Sequence, residues 1–212
     1  MDLHGYFNSS TSFRVRIALA LKGVSATSLP VNLREQAQRS AAHVGLNPSA
    51  GVPVLVDGDF VLTQSLAIID YLDARHPVPR LIPEAGEARA RVLELSLGVA
   101  CDIHPVNNMR VLRYLQQVLG VSDAQKQAWY QHWVAEGLEA TEQLLARHGH
   151  GPYCFGEQPT LADCCLVPQV ANAQRMGCAM HAFPRIAAIH AHCMAQPAFQ
   201  AAAPANQPDF VA

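Results

Sequence analysis

As far as Arg75, short β-rich runs alternate with helical patterns; after three prolines in seven residues, Pro77, Pro79 and Pro83, the chain reads as helical to its end. The first pattern calls for a sheet with helices packed on it, and the second can bury its apolar faces only helix against helix. The proline cluster is read as a linker, so two domains are expected, residues 1–80 α/β and residues 87–212 all-α. In the first, Asp2 to Tyr6 reads as a strand, Thr11 to Lys22 as a helix closed by Gly23, and Thr27 to Val31 as a second strand, a βαβ unit. Residues 36–46 suit a short helix. Val54-Leu55-Val56 and Phe60-Val61-Leu62 flank the hairpin signal Asp57-Gly58-Asp59, and Ser65 is placed to cap a helix running to about Arg75.

In the second domain one long helix is expected from Glu87 to about Gln117, kinked at Pro105. Ser122-Asp-Ala-Gln125 has the form of a capping box that opens a helix closed by Gly149, and Thr160-Leu-Ala-Asp163 repeats the device. Helices over 161–175 and 185–194 complete the domain, and the Ala-rich stretch 201–205 is expected to be loose.

Composition limits the partners. Fifteen Lys and Arg against seventeen Asp and Glu leave a net charge of −2, so no nucleic acid is expected, and any anion recognised must be small and locally held. No apolar run approaches the length of about 18 residues that a membrane helix needs. The opening Met1-Asp2-Leu3-His4 lacks the order of a secretory signal, and a cytoplasmic protein is expected. The six cysteines form no C-x-x-C pair and are read as reduced, mostly buried hydrophobes. His190-Ala-His192 and His148-Gly-His150 lack carboxylate or Cys partners at ligand spacing, so no metal is expected.

Three features of the first domain carry chemistry. Ser9-Ser10-Thr11-Ser12 opens the first helix directly after the first strand, which gathers hydroxyls and unpaired N–H groups at a positive helix end where a thiolate is stabilised. Plain N-capping explains the same residues. Val52-Pro53 enters a strand after a Gly-containing loop; a cis bond there would present the Val52 backbone to an extended peptide, and an ordinary trans proline is the alternative. Gln64-Ser65 begins the third helix, where the Ser65 hydroxyl and the following N–H groups suit a ligand carboxylate, or capping alone. Together, two helix N-termini and one exposed peptide define a groove for a small acidic peptide.

These residues carry a family likeness. Ser9-Ser-Thr-Ser-Phe-Arg-Val-Arg-Ile-Ala-Leu-Ala-Leu-Lys-Gly23 closely resembles the signature of zeta-class glutathione transferases, the maleylacetoacetate and maleylpyruvate isomerases. The likeness continues through Leu46-Asn-Pro48, Val52-Pro53, the segment from Gln64 to Leu72 and that from Thr160 to Arg175. It implies a thioredoxin-like N-terminal domain that binds glutathione and an all-α C-terminal domain that supplies the second-substrate pocket, assembled as a homodimer. It places the glutathione sulfur near Ser9, Ser10 and Thr11, the glycyl end near Gln38, the cysteinyl backbone on Val52, and the γ-glutamyl end on Gln64 and Ser65. Thr11 stands where the family pattern has Cys. Of the two signature arginines, only Arg14 lies one helical turn from Ser10 and faces the site.

On an ideal helix the step of about 100° brings His104 and Asn108 within about 40° of one another. The resemblance puts Asn108 in the substrate pocket and has Gln where His104 stands, so His104 adds a proton donor or a positive charge. Asp102 faces the other way, either crossing a dimer interface towards the partner's glutathione or serving as a surface carboxylate. Arg175 matches the pocket arginine that clamps a substrate carboxylate. Arg110, about 160° from Asn108 on an ideal helix, is a solvated surface arginine unless the kink at Pro105 or fraying beyond it redirects it to the pocket.

The expected activity is glutathione-dependent cis–trans isomerisation of a short dianionic diketo acid such as maleylpyruvate or maleylacetoacetate, as in aromatic catabolism. The rivals are a transferase of the same class that conjugates or dehalogenates small α-halo acids, and a non-catalytic binding protein built on the same fold.

Overall fold

The computed structural model describes residues 1–211 and divides into two compact units, one of residues 1–82 with 194–211, the other of residues 83–193. In the first, β1 (Asp2–Gly5), β2 (Thr27–Pro30), β3 (Val54–Asp57) and β4 (Phe60–Thr63) form one sheet in the order β2-β1-β3-β4. β1 and β2 run parallel, joined by α1 (Ser10–Lys22), as the βαβ pattern requires; β3 and β4 are antiparallel to their neighbours, with Asp57 opposite Phe60 across the Gly58-Asp59 turn. Gly58 takes φ +61°, a conformation that favours glycine. α3 (Ser65–Arg75) packs beside α1, and Leu3, Val15, Ile17, Val54, Leu55, Ile68, Ile69 and Leu72 make the core. The stretch expected as one short helix at 36–46 is a 3₁₀ turn, Ala37–Arg39, followed by α2 (Ala41–Leu46), because Ser40 breaks the run and caps the second piece by accepting from the His43 N–H.

The Ala-rich stretch is not loose. Residues Pro197–Ala202 form α9, which packs on α1; Ala202 is buried, and its carbonyl accepts a bond of 2.9 Å from Arg16 Nε. Ala and Pro at N1 are favourable helix formers, and the apolar face of α1 supplies the burial.

The second unit departs from the expected long helix. α4 (Gly86–Leu97) runs into a π-helical segment, Gly98–Ile103, then a 3₁₀ turn, Pro105–Asn107, before α5 (Met109–Gln117) starts afresh with Asn108 as its N-cap. Pro105 breaks the helix rather than kinking it, since it brings no N–H and crowds the preceding turn. Gly137 permits the close approach of this segment, because a Cβ there would lie 2.3 Å from Ile103. α6 (Asp123–His148) opens with the Ser122/Gln125 capping box, α7 (Leu161–Arg175) with that of Thr160 and Asp163, and α8 (Pro184–Met194) follows.

Asp163 is fully buried. Its carboxylate accepts from the Thr160 N–H (2.8 Å), the Thr160 hydroxyl (3.0 Å) and the Cys154 N–H (2.8 Å). Burial nonetheless outweighs these bonds and raises its pKa above 3.8. The native state therefore holds this proton to a higher pH than the unfolded chain does. The stability Asp163 contributes is greatest below the unfolded value and falls as pH rises through the raised one. Urea unfolding of Asp163→Asn is expected to show a smaller decline than the parent protein as pH rises above the ordinary carboxylate range.

Candidate active site

The residues expected to form the groove lie in the first unit. Ser9 is the N-cap of α1, its Oγ accepting from the Ser12 N–H at 3.2 Å, so the capping reading of the hydroxyl cluster holds for this residue. Ser9 Oγ lies 2.9 Å from Thr11 Oγ1, and Thr11 donates to the Val52 carbonyl at 2.8 Å. Since the Thr11 proton is spent on Val52, Ser9 is the donor in the first contact. The hydroxyls form a directed chain, Ser9 to Thr11 to Val52, that ties the N-terminus of α1 to the peptide before Pro53. Ser10, 9% exposed, occupies the first helical position beside it. The Val52-Pro53 bond is cis, the first of the two alternatives, and Val78-Pro79 is cis as well. The loop leading to Val52 is held by the Gly51 carbonyl, which accepts from Asn47 Nδ2 at 2.9 Å and contacts His43 Nε2 at 2.9 Å.

Ser65 does not cap α3. Gln64 is the N-cap residue, no side-chain cap bond forms, and Ser65 is the first residue of the helix. Gln64 accordingly sits at φ +70°, a conformation costing a non-glycine residue about 1–3 kcal/mol. Gln64→Gly is expected to raise unfolding stability by about 1 kcal/mol in urea titration. Gln38 lies in the 3₁₀ turn after β2, is 7% exposed, and its buried Oε1 has no hydrogen-bond partner among the described residues.

Two arginines of the signature divide their work. Arg14 is buried and reaches Ser65, 3.4 Å from Nη1 to Oγ. Arg16 turns to the chain's C-terminal residues, donating to Ala202 O, Tyr6 O and Phe7 O, while the Phe7 N–H donates to Asp209 at 2.9 Å. Burial lowers the Arg16 pKa to about 10, partly offset by Asp209. The turn that delivers Ser9 is thus pinned by Arg16 and Asp209, contacts absent from any local pattern and missed in sequence.

In the second unit α6 ties the two candidate substrate segments together. Asn107 donates to Tyr130 O and Trp129 to Val106 O on one side, while Gln127 and Gln131 donate to Met176 O and Gly177 O just past the end of α7 on the other. Arg175, exposed at the C-terminus of α7, donates to Asn172 Oδ1. Tyr130 is buried, and its phenol is pushed up to about 12 by burial, with the Arg175 charge pulling the other way. The shared helical face expected for His104 and Asn108 is not formed. His104 ends the π-helical segment, whereas Asn108 is extended at ψ 146° and caps α5 by accepting from the Arg110 N–H at 3.1 Å. The angle argued for Arg110 fails for the same reason: it lies at the second position of α5, exposed. Asp102 is exposed on the π-helical segment.

A four-stranded β2-β1-β3-β4 sheet with a cis proline entering β3, followed by a helical unit, is the architecture of glutathione transferases. Residues 1–74 match the family model described as "Glutathione S-transferase, N-terminal domain", and residues 127–192 that of the C-terminal domain. A probable maleylacetoacetate isomerase of Vibrio cholerae is 49% identical over 209 residues, 98% of this chain and 97% of that protein. A holo structure of a bacterial maleylpyruvate isomerase, described as a zeta-class glutathione transferase, superposes with TM-score 0.97 at 45% identity over the whole of both chains. A maleylacetoacetate isomerase of Anaeromyxobacter dehalogenans, solved with glutathione in its active site, matches with TM-score 0.88 at 40% identity, covering 99% of this chain and 97% of that one. The chain belongs to the zeta class of glutathione transferases, the family of maleylacetoacetate and maleylpyruvate isomerases. No helix among the described residues is long and apolar enough to cross a membrane.

Proposed function

We propose that this protein is a glutathione-dependent cis–trans isomerase of a maleyl diketo acid, maleylpyruvate or maleylacetoacetate. The observation that carries the reading is the hydroxyl chain from Ser9 through Thr11 to Val52, which sets a donor at a helix N-terminus beside a peptide able to pair with an extended ligand. The described residues fit glutathione: Ser65 is free of capping duty at the N-terminus of α3, and Gln38 holds a buried polar atom without a partner. Val52 takes the cysteinyl backbone, Gln64 and Ser65 the γ-glutamyl end, and Gln38 the glycyl end. When bound, glutathione supplies a thiolate whose reversible addition makes the substrate's C=C a single bond free to rotate, and which leaves unconsumed.

The residues of this chain do the rest. Ser9 Oγ, accepting from the Ser12 N–H, keeps its own proton to donate. Turning that proton from Thr11 to a thiolate exchanges a neutral hydrogen bond for a charge-assisted one. Ser10 and Thr11 complete the polar wall, and the α1 dipole adds positive potential. The helical unit, proposed as residues 87–212 against a glutathione-binding domain of residues 1–80, holds the dianion. Arg175 forks onto one carboxylate, and Arg110, Asn108 and His104 supply further positive and polar groups. Arg175→Ala is expected to lower kcat/KM by roughly 2–4 kcal/mol, the cost of leaving a desolvated ion unpaired, read from initial rates.

A homodimer with Asp102 turned towards the partner's glutathione completes the reading, and the exposed Phe60 and Val61 of edge strand β4 favour a paired surface. A cytoplasmic setting suits six free cysteines. The test is proton NMR of each diketo acid with protein and glutathione, beside protein alone, with free thiol measured in parallel. Isomerisation leaves the thiol total unchanged, whereas falling thiol would establish conjugation instead. Conversion of neither acid would overturn the reading.

A further inference from the structure

Arg14 is the most deeply buried charge near the groove, 2% exposed on α1, and among the described residues no carboxylate pairs with it. Its Nε and Nη2 have no hydrogen-bond partner, and the single bond of its guanidinium goes to Ser65 Oγ at 3.4 Å. A buried cation without a counter-ion is costly; Lys22, also buried, is paired with Asp73. The cost at Arg14 therefore needs a return.

The polarity of the contact supplies it. A guanidinium only donates and does not lose its proton, so Ser65 Oγ must accept from Arg14. Ser65 Oγ donates to no group among the described residues, and it accepts no capping N–H from α3. With a lone pair taken from behind by a cation, the Ser65 O–H is left to donate outward, alongside the unpaired N–H groups of the first turn of α3. The site becomes donor-only and positive, suited to a carboxylate and hostile to a neutral or acceptor-needing group.

We propose that Arg14 is a positioning residue for ligand recognition: through Ser65 it makes the N-terminus of α3 select the α-carboxylate of the γ-glutamyl group. This rests on the glutathione reading above. The test is isothermal titration of glutathione, and of its analogue 4-aminobutanoyl-Cys-Gly, which lacks only that carboxylate. The proteins are the parent, Arg14→Met, Arg14→Lys, Ser65→Ala and the double variant Arg14→Met/Ser65→Ala. Arg14→Met is expected to bind glutathione about tenfold or more weakly, the scale of a hydrogen bond to a charged group, and the analogue within about threefold of the parent. The double variant should be no weaker than Ser65→Ala alone, because Arg14 acts through Ser65. Without ligand, Arg14→Met should melt at or above the parent's temperature, since an unpaired buried charge has gone.

Equal losses on both ligands, or additive losses in the double variant, would reduce Arg14 to packing and overturn the proposal, as would unchanged glutathione affinity. Should Arg14→Met fail to fold, the same ratio of the two affinities is read in Arg14→Lys, where a preference for glutathione as large as the parent's would overturn the guanidinium's role. A parent protein that binds neither ligand would overturn the functional reading itself, and this inference with it.

Discussion

Asp73→Ala is expected to lower unfolding stability by about 3–5 kcal/mol, the largest single loss in the first unit. Lys22 Nζ lies 2.5 Å from Asp73 Oδ1 and also donates to the carbonyls of His76 and Pro79, both at 2.8 Å. Asp73 in turn accepts the N–H groups of Leu81 (3.0 Å) and Ile82 (2.6 Å). Both side chains are essentially excluded from solvent. Removing the carboxylate strands a buried ammonium and two buried N–H donors at once, and each orphan costs free energy in its own right. The ion pair joins the C-terminal ends of α1 and α3 to the chain that leaves the unit, so its loss loosens the end of the unit opposite the groove. Replacing both partners, as Lys22→Met with Asp73→Leu, should recover part of the loss, because an apolar pair of similar volume has no charge to desolvate. Urea unfolding of the two single variants and the double measures the coupling. A double variant as unstable as the sum of the singles would show that the pair does not act as a unit.

That ion pair also marks where reading from sequence ends. Lys22 reads only as a helix-terminal lysine and Asp73 as one acid in a helical run; their meeting across 51 positions depends on the packing of α1 on α3. Local devices were legible because their physics is local: the Asp57-Gly58-Asp59 turn, both capping boxes, and the βαβ unit all sit where short-range patterns put them. Where two local rules competed, the pattern misled. The apolar periodicity from Glu87 onward suggested one helix, yet Pro105 and a capping Asn108 divide it, and the angular argument linking His104, Asn108 and Arg110 went with it. Ser65 shows the opposite failure. Its residue type suggested an N-cap, but the cap position falls one residue earlier on Gln64. The family likeness named the residues proposed to line the groove, while Arg16, Asp209, His43 and Asn47, which hold the loops beside Ser9 and Val52, were missed because each acts through a backbone group elsewhere in the chain.

The largest effect on activity is expected at Ser9. Ser9→Ala should lower kcat/KM about 10²–10³-fold, the scale of losing one preorganised donor to a developing or bound anion. The same variant should raise the pKa of the bound thiol towards its free value of ~8.5, measured as thiolate absorbance against pH. Two effects of the substitution must be separated, because Ser9 also caps α1 by accepting from Ser12. Loss of the cap costs about 1 kcal/mol in stability with Ala but only a few tenths with Gly. Ser9→Gly should therefore keep most of the stability and lose the same activity. Thr11→Val tests the rest of the chain: it releases the Val52 carbonyl and removes the acceptor that orients Ser9, yet leaves the Ser9 proton in place. Its thiol pKa should stay near the parent's, with the penalty falling mainly on glutathione affinity. If Ser9→Gly worked within threefold of the parent enzyme while Thr11→Val raised the thiol pKa, the donor would be Thr11, its proton turned from the Val52 carbonyl to the sulfur.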